Sequence, residues 1–567
     1  VPTYPYLSRS LCLMAMSAAL SLPAAAQTAA VEQESVRAST PFTLSSGTPR
    51  TPEQMAVRFD SADLSFTLSP ESRSLQARAI LDFTPLSSLS SLVLELDTRL
   101  AISSIRINGT PVTGWSNPDG RLTIPLPHVF VAEQKIQLAI DYEGQPHQAQ
   151  HAPWDGGFVW SQSNGQPWIA SAVQGEGCDL FWPCIDHPMG EPQQVTLHIT
   201  VQQGLSAPAN GVLTGKSQNP DGTTTWHWQA RQPNTYAISL NVGPYAEQSA
   251  PYASRYGNTI PLYFWPLAST EPAKAQALFD EFPLMLDFFE STIGPFPFGD
   301  EKMGVVETPH LGMEHQSINA YGNAYKKDGK GYDWLLQHEL AHEWFGNQMT
   351  NVDWDHMWLH EGFGTYMQPL YARWLNGDRA MQSELQTMRL TLKNQFPIVS
   401  GRAQDAGTVY DAATGPGLDL YYKGALIAHT LRLHIGDEAF YESLRRLIYG
   451  RPDPRPGNFS PRYASTPDYV AIVNQVTGQD MGWFFDAYLY QAALPDLVMT
   501  RNGNQVSLEW KTGNDAPFPM PVEIEVDGQT QTLPMTHGKG QFTAPASAHI
   551  LLDPGSKILR RLPYLEN

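Results

Sequence analysis

The sequence predicts a multidomain α+β protein: an N-terminal antiparallel β domain, a mostly helical middle domain and a small C-terminal β-sandwich. Three observations carry that prediction. From about 58 to 250, short runs alternate apolar and polar residues, as in Leu64-Ser65-Phe66-Thr67-Leu68 and Val195-Thr196-Leu197-His198-Ile199-Thr200-Val201. Turn signals such as Asn117-Pro118-Asp119-Gly120 and Asn219-Pro220-Asp221-Gly222 punctuate them, the pattern of repeated antiparallel strands. From 272 onward the apolar spacing lengthens to three and four, which predicts amphipathic helices over 272–292, 334–347, 357–376, 379–395, 421–435 and 437–449. Alternation returns over 496–553, in Val506-Ser507-Leu508-Glu509-Trp510 and Val522-Glu523-Ile524-Glu525-Val526.

Composition agrees with large cores. The chain has 567 residues, 42% of them hydrophobic, with 15 Trp, 23 Tyr and 23 Phe, so disorder is excluded as its main state. A net charge of −20 argues against a nucleic-acid binder, whose footprint is basic. Residues 1–26 carry one charge, Arg9, then an apolar run from Leu11 to Leu22 and the exit Pro23-Ala24-Ala25-Ala26, the form of a secretory signal peptide. The expectation is an exported product, periplasmic or secreted and soluble after cleavage, with no membrane span. Residues 27–50, rich in Thr, Ser, Ala, Gln and Pro, read as a linker. Domains are then expected at 51–255 (β), 256–493 (mostly helical) and 494–567 (β). Cys178 and Cys184 have five residues between them; two buried thiols are favoured over a bridge. The cluster Lys326, Lys327 and Lys330 reads as a solvated loop.

The chemistry lies in His338-Glu339-Leu340-Ala341-His342. Asp333 is placed to cap its helix, and residues four apart share a helix face, so both imidazoles can reach one metal with Glu339 beside them. A second helical segment presents Glu361 within Trp358-Leu359-His360-Glu361-Gly362-Phe363. His338, His342 and Glu361 with one open position make a catalytic zinc arrangement, one Zn2+ per chain. Glu339, adjacent but not a ligand, is the candidate general base. His360 lies about 100° from Glu361 around the helix and is expected to pack, or to support the site from behind the ligands, rather than ligate.

These motifs resemble the zinc aminopeptidases of the aminopeptidase N and leukotriene hydrolase family, the gluzincins with HExxH followed by Glu after eighteen intervening residues. The likeness rests on His338 to Asn347 and Trp358 to Phe363, and it extends to Leu311-Gly312-Met313-Glu314-His315, which sits where the family has Gly-Ala-Met-Glu-Asn. Gln174, ahead of Pro183-Cys184-Ile185-Asp186-His187-Pro188, and Tyr421-Tyr422-Lys423-Gly424 resemble two further family segments. The resemblance implies a thermolysin-like catalytic domain and the family's first three domains, with no counterpart in these residues to the large C-terminal helical domain of many relatives. It implies that Glu314 and Gln174 bind the substrate's free α-amino group, that backbone at Gly312 and Met313 pairs with an extended peptide, and that Tyr421 stabilises the tetrahedral oxyanion. Lys423 reads as structural. Positions that depart from the pattern include Leu311, His315, His360 and Asp179, the last where relatives often carry Arg.

The expected function is a zinc metallo-aminopeptidase acting on peptides with a free N-terminus. A gluzincin endopeptidase, an epoxide hydrolase and a non-catalytic peptide-binding scaffold on the same fold are the alternatives. Glu314 and Gln174 speak against the endopeptidase, and the intact His338, Glu339, His342, Glu361 and Tyr421 against the scaffold.

Overall fold

The computed structural model describes residues 38–457 and 459–562. The expected signal peptide at 1–26 lies outside the described residues. Strand Val57–Ser69 runs through an eight-stranded sheet, flanked by Ser74–Pro85 on one side and Gln194–Val201 on the other. Its even-numbered apolar side chains, Leu64 and Phe66 among them, are buried in one core together with Leu81, Phe83 and Ile199. The sheet is not wholly antiparallel: Val57–Ser69 pairs parallel with Gln194–Val201, because the long excursion over 145–193 returns the chain in the same direction.

Residues 38–50 correct the linker expectation. Thr43 donates to Asp97 at 3.1 Å and Ser46 to Asp186 at 3.0 Å, both inside the protein. Hydroxyls that read as solvated in composition here satisfy buried carboxylates. A second correction concerns Cys178 and Cys184, which form a disulfide with Cα atoms 6.3 Å apart. A 3-10 turn over Cys178–Leu180 folds the segment back and brings the two side chains together.

Strand Gln248–Ala253 pairs with Thr259–Trp265, so the sheet of the catalytic region begins before residue 256. That five-stranded sheet runs in the order 248–253, 259–265, 303–307, 319–321 and 312–313, with Gly312–Met313 at its edge. The helix expected over 272–292 is two, Pro272–Phe279 and Phe282–Thr292, with Pro283 in the first turn of the second. Helices Trp358–Asn376 and Asp419–Ile435 pack closely where Gly362 meets Gly424; a Cβ on Gly424 would lie 2.8 Å from Gly362 Cα. Small residues at that crossing bring Glu361 and Tyr421 side by side. Helices Thr466–Thr477 and Gly482–Tyr488 were not foreseen from the spacing. Two three-stranded sheets over 496–552 complete the chain and share a core with the helices, where Phe518 packs edge-on against Trp483 and Tyr488. The lysine cluster is partly engaged: Lys327 pairs with Glu281 at 2.9 Å, and Lys330 pairs with Glu384.

Beside the disulfide, Glu95, Asp179 and Asp186 are buried close together. Burial raises all three, and neighbouring carboxylate charge adds to it at Asp179 and Asp186: Glu95 and Asp186 rise to about 7, Asp179 well above the carboxylate range. Asp179 Oδ1 has no hydrogen-bond partner. The folded chain thus holds protons that the unfolded chain releases above about pH 4, so stability is lost as pH rises toward and through 7. Asp179→Asn is expected to raise the melting temperature at pH 8 by about 2–4 °C, the shift that about 1 kcal/mol produces in a domain of about 200 residues. Near pH 4 the same variant should differ little, which thermal unfolding at the two pH values checks.

Candidate metal centre

Helix Trp334–Ala341 begins where Asp333 accepts from the backbone amides of Leu335 and Leu336, as its sequence predicts. It ends at Ala341 rather than 347, because the chain turns back through Gly346, whose φ is 136°. His342 becomes the C-cap, and its Nδ1 donates to the Phe345 carbonyl at 2.9 Å. That bond fixes the tautomer and frees Nε2 as a lone pair.

The three expected ligands converge. His338 Nε2 and His342 Nε2 are 3.2 Å apart, and Glu361 Oε2 lies 3.4 Å from His342 Nε2 and 3.9 Å from His338 Nε2. A triangle of that size surrounds a point about 2 Å from each corner, the ordinary distance from zinc to nitrogen or oxygen. Glu361 Oε1 accepts from the hydroxyls of Tyr421, at 2.9 Å, and Tyr410, at 3.0 Å. Its Oε2 is buried with no donor at all. An orphaned carboxylate oxygen facing two imidazole nitrogens is costly without a cation and fits one well.

Electrostatics point the same way. Burial lowers His342 to about 4 and His338 well below its usual range, so both rings are neutral and ligand-competent at neutral pH. Burial and then the Glu314 charge push Glu361 up to about 8. Burial, Glu314 and Glu361 drive Glu339 well above the carboxylate range. Donor atoms of Glu314, Glu339 and His342 lie within 4.8 Å of one another. Three carboxylates so close ionise together only with a divalent cation among them.

Glu314 follows the edge strand Gly312–Met313. Its Oε1 receives the Gln174 amide at 2.5 Å and the Tyr236 hydroxyl at 2.6 Å, and His360 Nε2 stands 3.5 Å away. His360 therefore faces Glu314 rather than the ligand triangle, in line with a packing role. The strand is tied to the metal helix from behind: Asn347 donates to the Glu314 carbonyl at 3.0 Å and to Glu343 at 3.1 Å, and Glu343 accepts from the Ser317 amide at 2.8 Å. The edge strand runs close beneath the metal-site helix at Gly312, where a Cβ would crowd the side-chain ends of Glu339 and Leu335. Lys423 donates to the carbonyls of Gln491 and Ala492, a structural contact. His315 is fully buried with neither ring nitrogen partnered.

All nine residues expected at the site border or support one cavity of about 400 Å³, which Trp154, Trp334, Leu418 and Tyr422 also line. Tyr236 and Tyr410 were not foreseen; neither lies in a motif, and only tertiary folding brings their hydroxyls to Glu314 and Glu361.

This fold and ligand set define a zinc metallopeptidase scaffold of the gluzincin class. Residues 302–488 match the peptidase family M1 domain, and over that span the chain is an M1 metallopeptidase domain. It is 22% identical over 484 residues to Probable aminopeptidase 2 of Sulfurisphaera tokodaii, covering 77% of this chain and 56% of that protein. It is 23% identical to Tricorn protease-interacting factor F2 of Thermoplasma volcanium over 65% of this chain and 47% of that one. The chain thus spans about half the length of these relatives. Among solved structures, a mutant M1 zinc metallopeptidase from Deinococcus radiodurans bound to a Tyr-Ser-Ala substrate superposes with a TM-score of 0.66 at 26% identity, covering 80% of this chain and 98% of that one. Glu361→Ala, which removes one corner of the triangle, is expected to reduce bound zinc from one per chain to near none at micromolar protein, measured by elemental analysis.

Proposed function

We propose that the chain is a zinc aminopeptidase that releases N-terminal residues from peptides. The observation that carries this is the Glu314 carboxylate, buried, held by Gln174 and Tyr236, and within 4.8 Å of donor atoms of Glu339 and His342. An anion fixed that near the ligands suits the α-ammonium of a chain end and leaves room for a single residue before the scissile bond. An endopeptidase has no use for it.

A zinc ion held by His338, His342 and Glu361 supplies Lewis acidity, polarising a peptide carbonyl and making water acidic near neutrality. Glu339 takes the proton of the attacking water and returns it to the leaving amine. Its burial suits both halves of that transfer, because a raised pKa makes it a stronger base and still a usable acid. Tyr421, now donating to Glu361, turns its hydroxyl to the developing oxyanion. Gln174 adds a second acceptor at the ammonium, and the free edge of Gly312–Met313 hydrogen-bonds the substrate backbone as an added strand.

We extend the proposal to location: an oxidising compartment outside the cytoplasm, supported by the Cys178–Cys184 bridge and the pattern of residues 1–26. Among the described residues no helix is long and apolar enough to cross a membrane.

The decisive experiment is a panel of aminoacyl fluorogenic substrates assayed with and without a chelator, each beside its N-acetylated form. Free-amine substrates should be cleaved, chelator should abolish cleavage, and acetylation should reduce it by at least a hundredfold. Equal rates on acetylated peptides would sink the aminopeptidase reading. Glu339→Ala is expected to keep its zinc and lose about three decades of kcat.

A further inference from the structure

Away from the active site, a chain of polar side chains crosses four neighbouring strands on the solvent face of the eight-stranded sheet. Ser217, His227, His198 and Asp63 lie on Val212–Gln218, Thr224–Arg231, Gln194–Val201 and Val57–Ser69, which are adjacent in that order. His198 and His227 are directly opposed in the antiparallel register. Their chain neighbours Leu197, Ile199, Trp226 and Trp228 are buried, so the two imidazoles project away from the core.

The contacts orient both rings. His198 Nε2 lies 3.3 Å from Asp63 Oδ2, His227 Nε2 lies 2.8 Å from Ser217 Oγ, and the two Nδ1 atoms face each other at 2.6 Å with the ring planes at 70°. Asp63 only accepts, so His198 Nε2 carries the hydrogen and its Nδ1 is a lone pair. Without an ion, His227 Nδ1–H then donates to His198 Nδ1 and its Nε2 accepts from Ser217; because Ser217 both donates and accepts, moving that proton to Nε2 and turning the hydroxyl gives His227 the same tautomer as His198. Two imidazole lone pairs then converge on one point, each ring backed by an outer hydrogen bond, as in metal-binding histidines. Both rings are partly exposed, His198 by 27%, so an ion can enter and water can fill its remaining positions.

We infer that His198 and His227 form a second metal site, for a borderline divalent transition ion bound through the two Nδ1 atoms. The atoms need only part to about 3 Å to hold an ion at about 2.0–2.1 Å from each. Among such ions copper(II) binds a pair of imidazoles most tightly. The ion ties Gln194–Val201 to Thr224–Arg231 and therefore stabilises the fold without taking part in hydrolysis.

The test adds Cu2+ to the zinc-loaded full-length protein. One copper per chain is expected to bind with zinc content unchanged, with an electron paramagnetic resonance spectrum showing two nitrogen ligands and a rise in melting temperature. His198→Gln and His227→Gln should each weaken binding at least tenfold and abolish the thermal shift, with copper-free peptidase turnover unaltered. Asp63→Asn should weaken it about tenfold through loss of the outer hydrogen bond. Copper that displaces the zinc, a one-nitrogen spectrum, or equal affinity in the histidine variants would overturn the inference. The wild-type spectrum decides the question even where a variant folds poorly.

Discussion

The arrangement of this protein turns on three carboxylates, Glu314, Glu339 and Glu361, buried around one cavity. Desolvation raises all three, and the Glu314 charge adds to it at Glu339 and Glu361, so a dry, metal-free pocket disfavours their ionised forms. A dication beside Glu361 Oε2 changes that balance. It would leave Glu361 ionised as a ligand and lower the cost of charge on the other two, which on the aminopeptidase reading accept an ammonium and carry a proton. The hydrogen bonds divide the labour before any ligand arrives. Glu361 Oε1 is occupied by two tyrosines and Glu314 Oε1 by Gln174 and Tyr236, whereas Glu361 Oε2 is left bare.

Placing those groups needs backbones closer than ordinary side chains permit. Gly362 against Gly424 lets two helices cross with Glu361 and Tyr421 in register, and Gly312 lets the edge strand pass beneath Glu339. Behind them Asn347 and Glu343 lash the strand to the metal helix. The residues that follow the second histidine thus do work that the histidines themselves do not reveal: they fix the distance between amine anchor and metal.

Much of this was legible in the sequence because the relevant signals are local. Spacing of four put His338 and His342 on one face, Asp333 announced the helix start, and alternation marked the strands around Leu64, Val195 and Val522. What escaped was non-local. Tyr236 reaches Glu314 and Tyr410 reaches Glu361 from segments with no motif, and the parallel pairing of Val57–Ser69 depends on a return path that alternation does not encode. Composition misled at 38–50, where Thr43 and Ser46 are polar because their partners are buried carboxylates, not because they face water. Spacing alone also could not decide the cysteines, since a turn at Cys178–Leu180 sets their separation.

The site divides between domains in a way that separates chemistry from selection. The candidate metal ligands and Glu339 stand on two helices of the region that matches the M1 domain. The groups that hold Glu314, by contrast, are Gln174 and Tyr236, both contributed by the N-terminal β region. Removing that region would take both hydrogen-bond donors from Glu314 Oε1 and leave its carboxylate at the end of an edge strand, free to swing or to protonate. An amine anchor is useful only if its carboxylate is both charged and stationary, and here the β region supplies the stationary part. On the aminopeptidase reading, restriction to chain ends is therefore a property of the contact between domains, laid over a metal centre that by itself has no such preference.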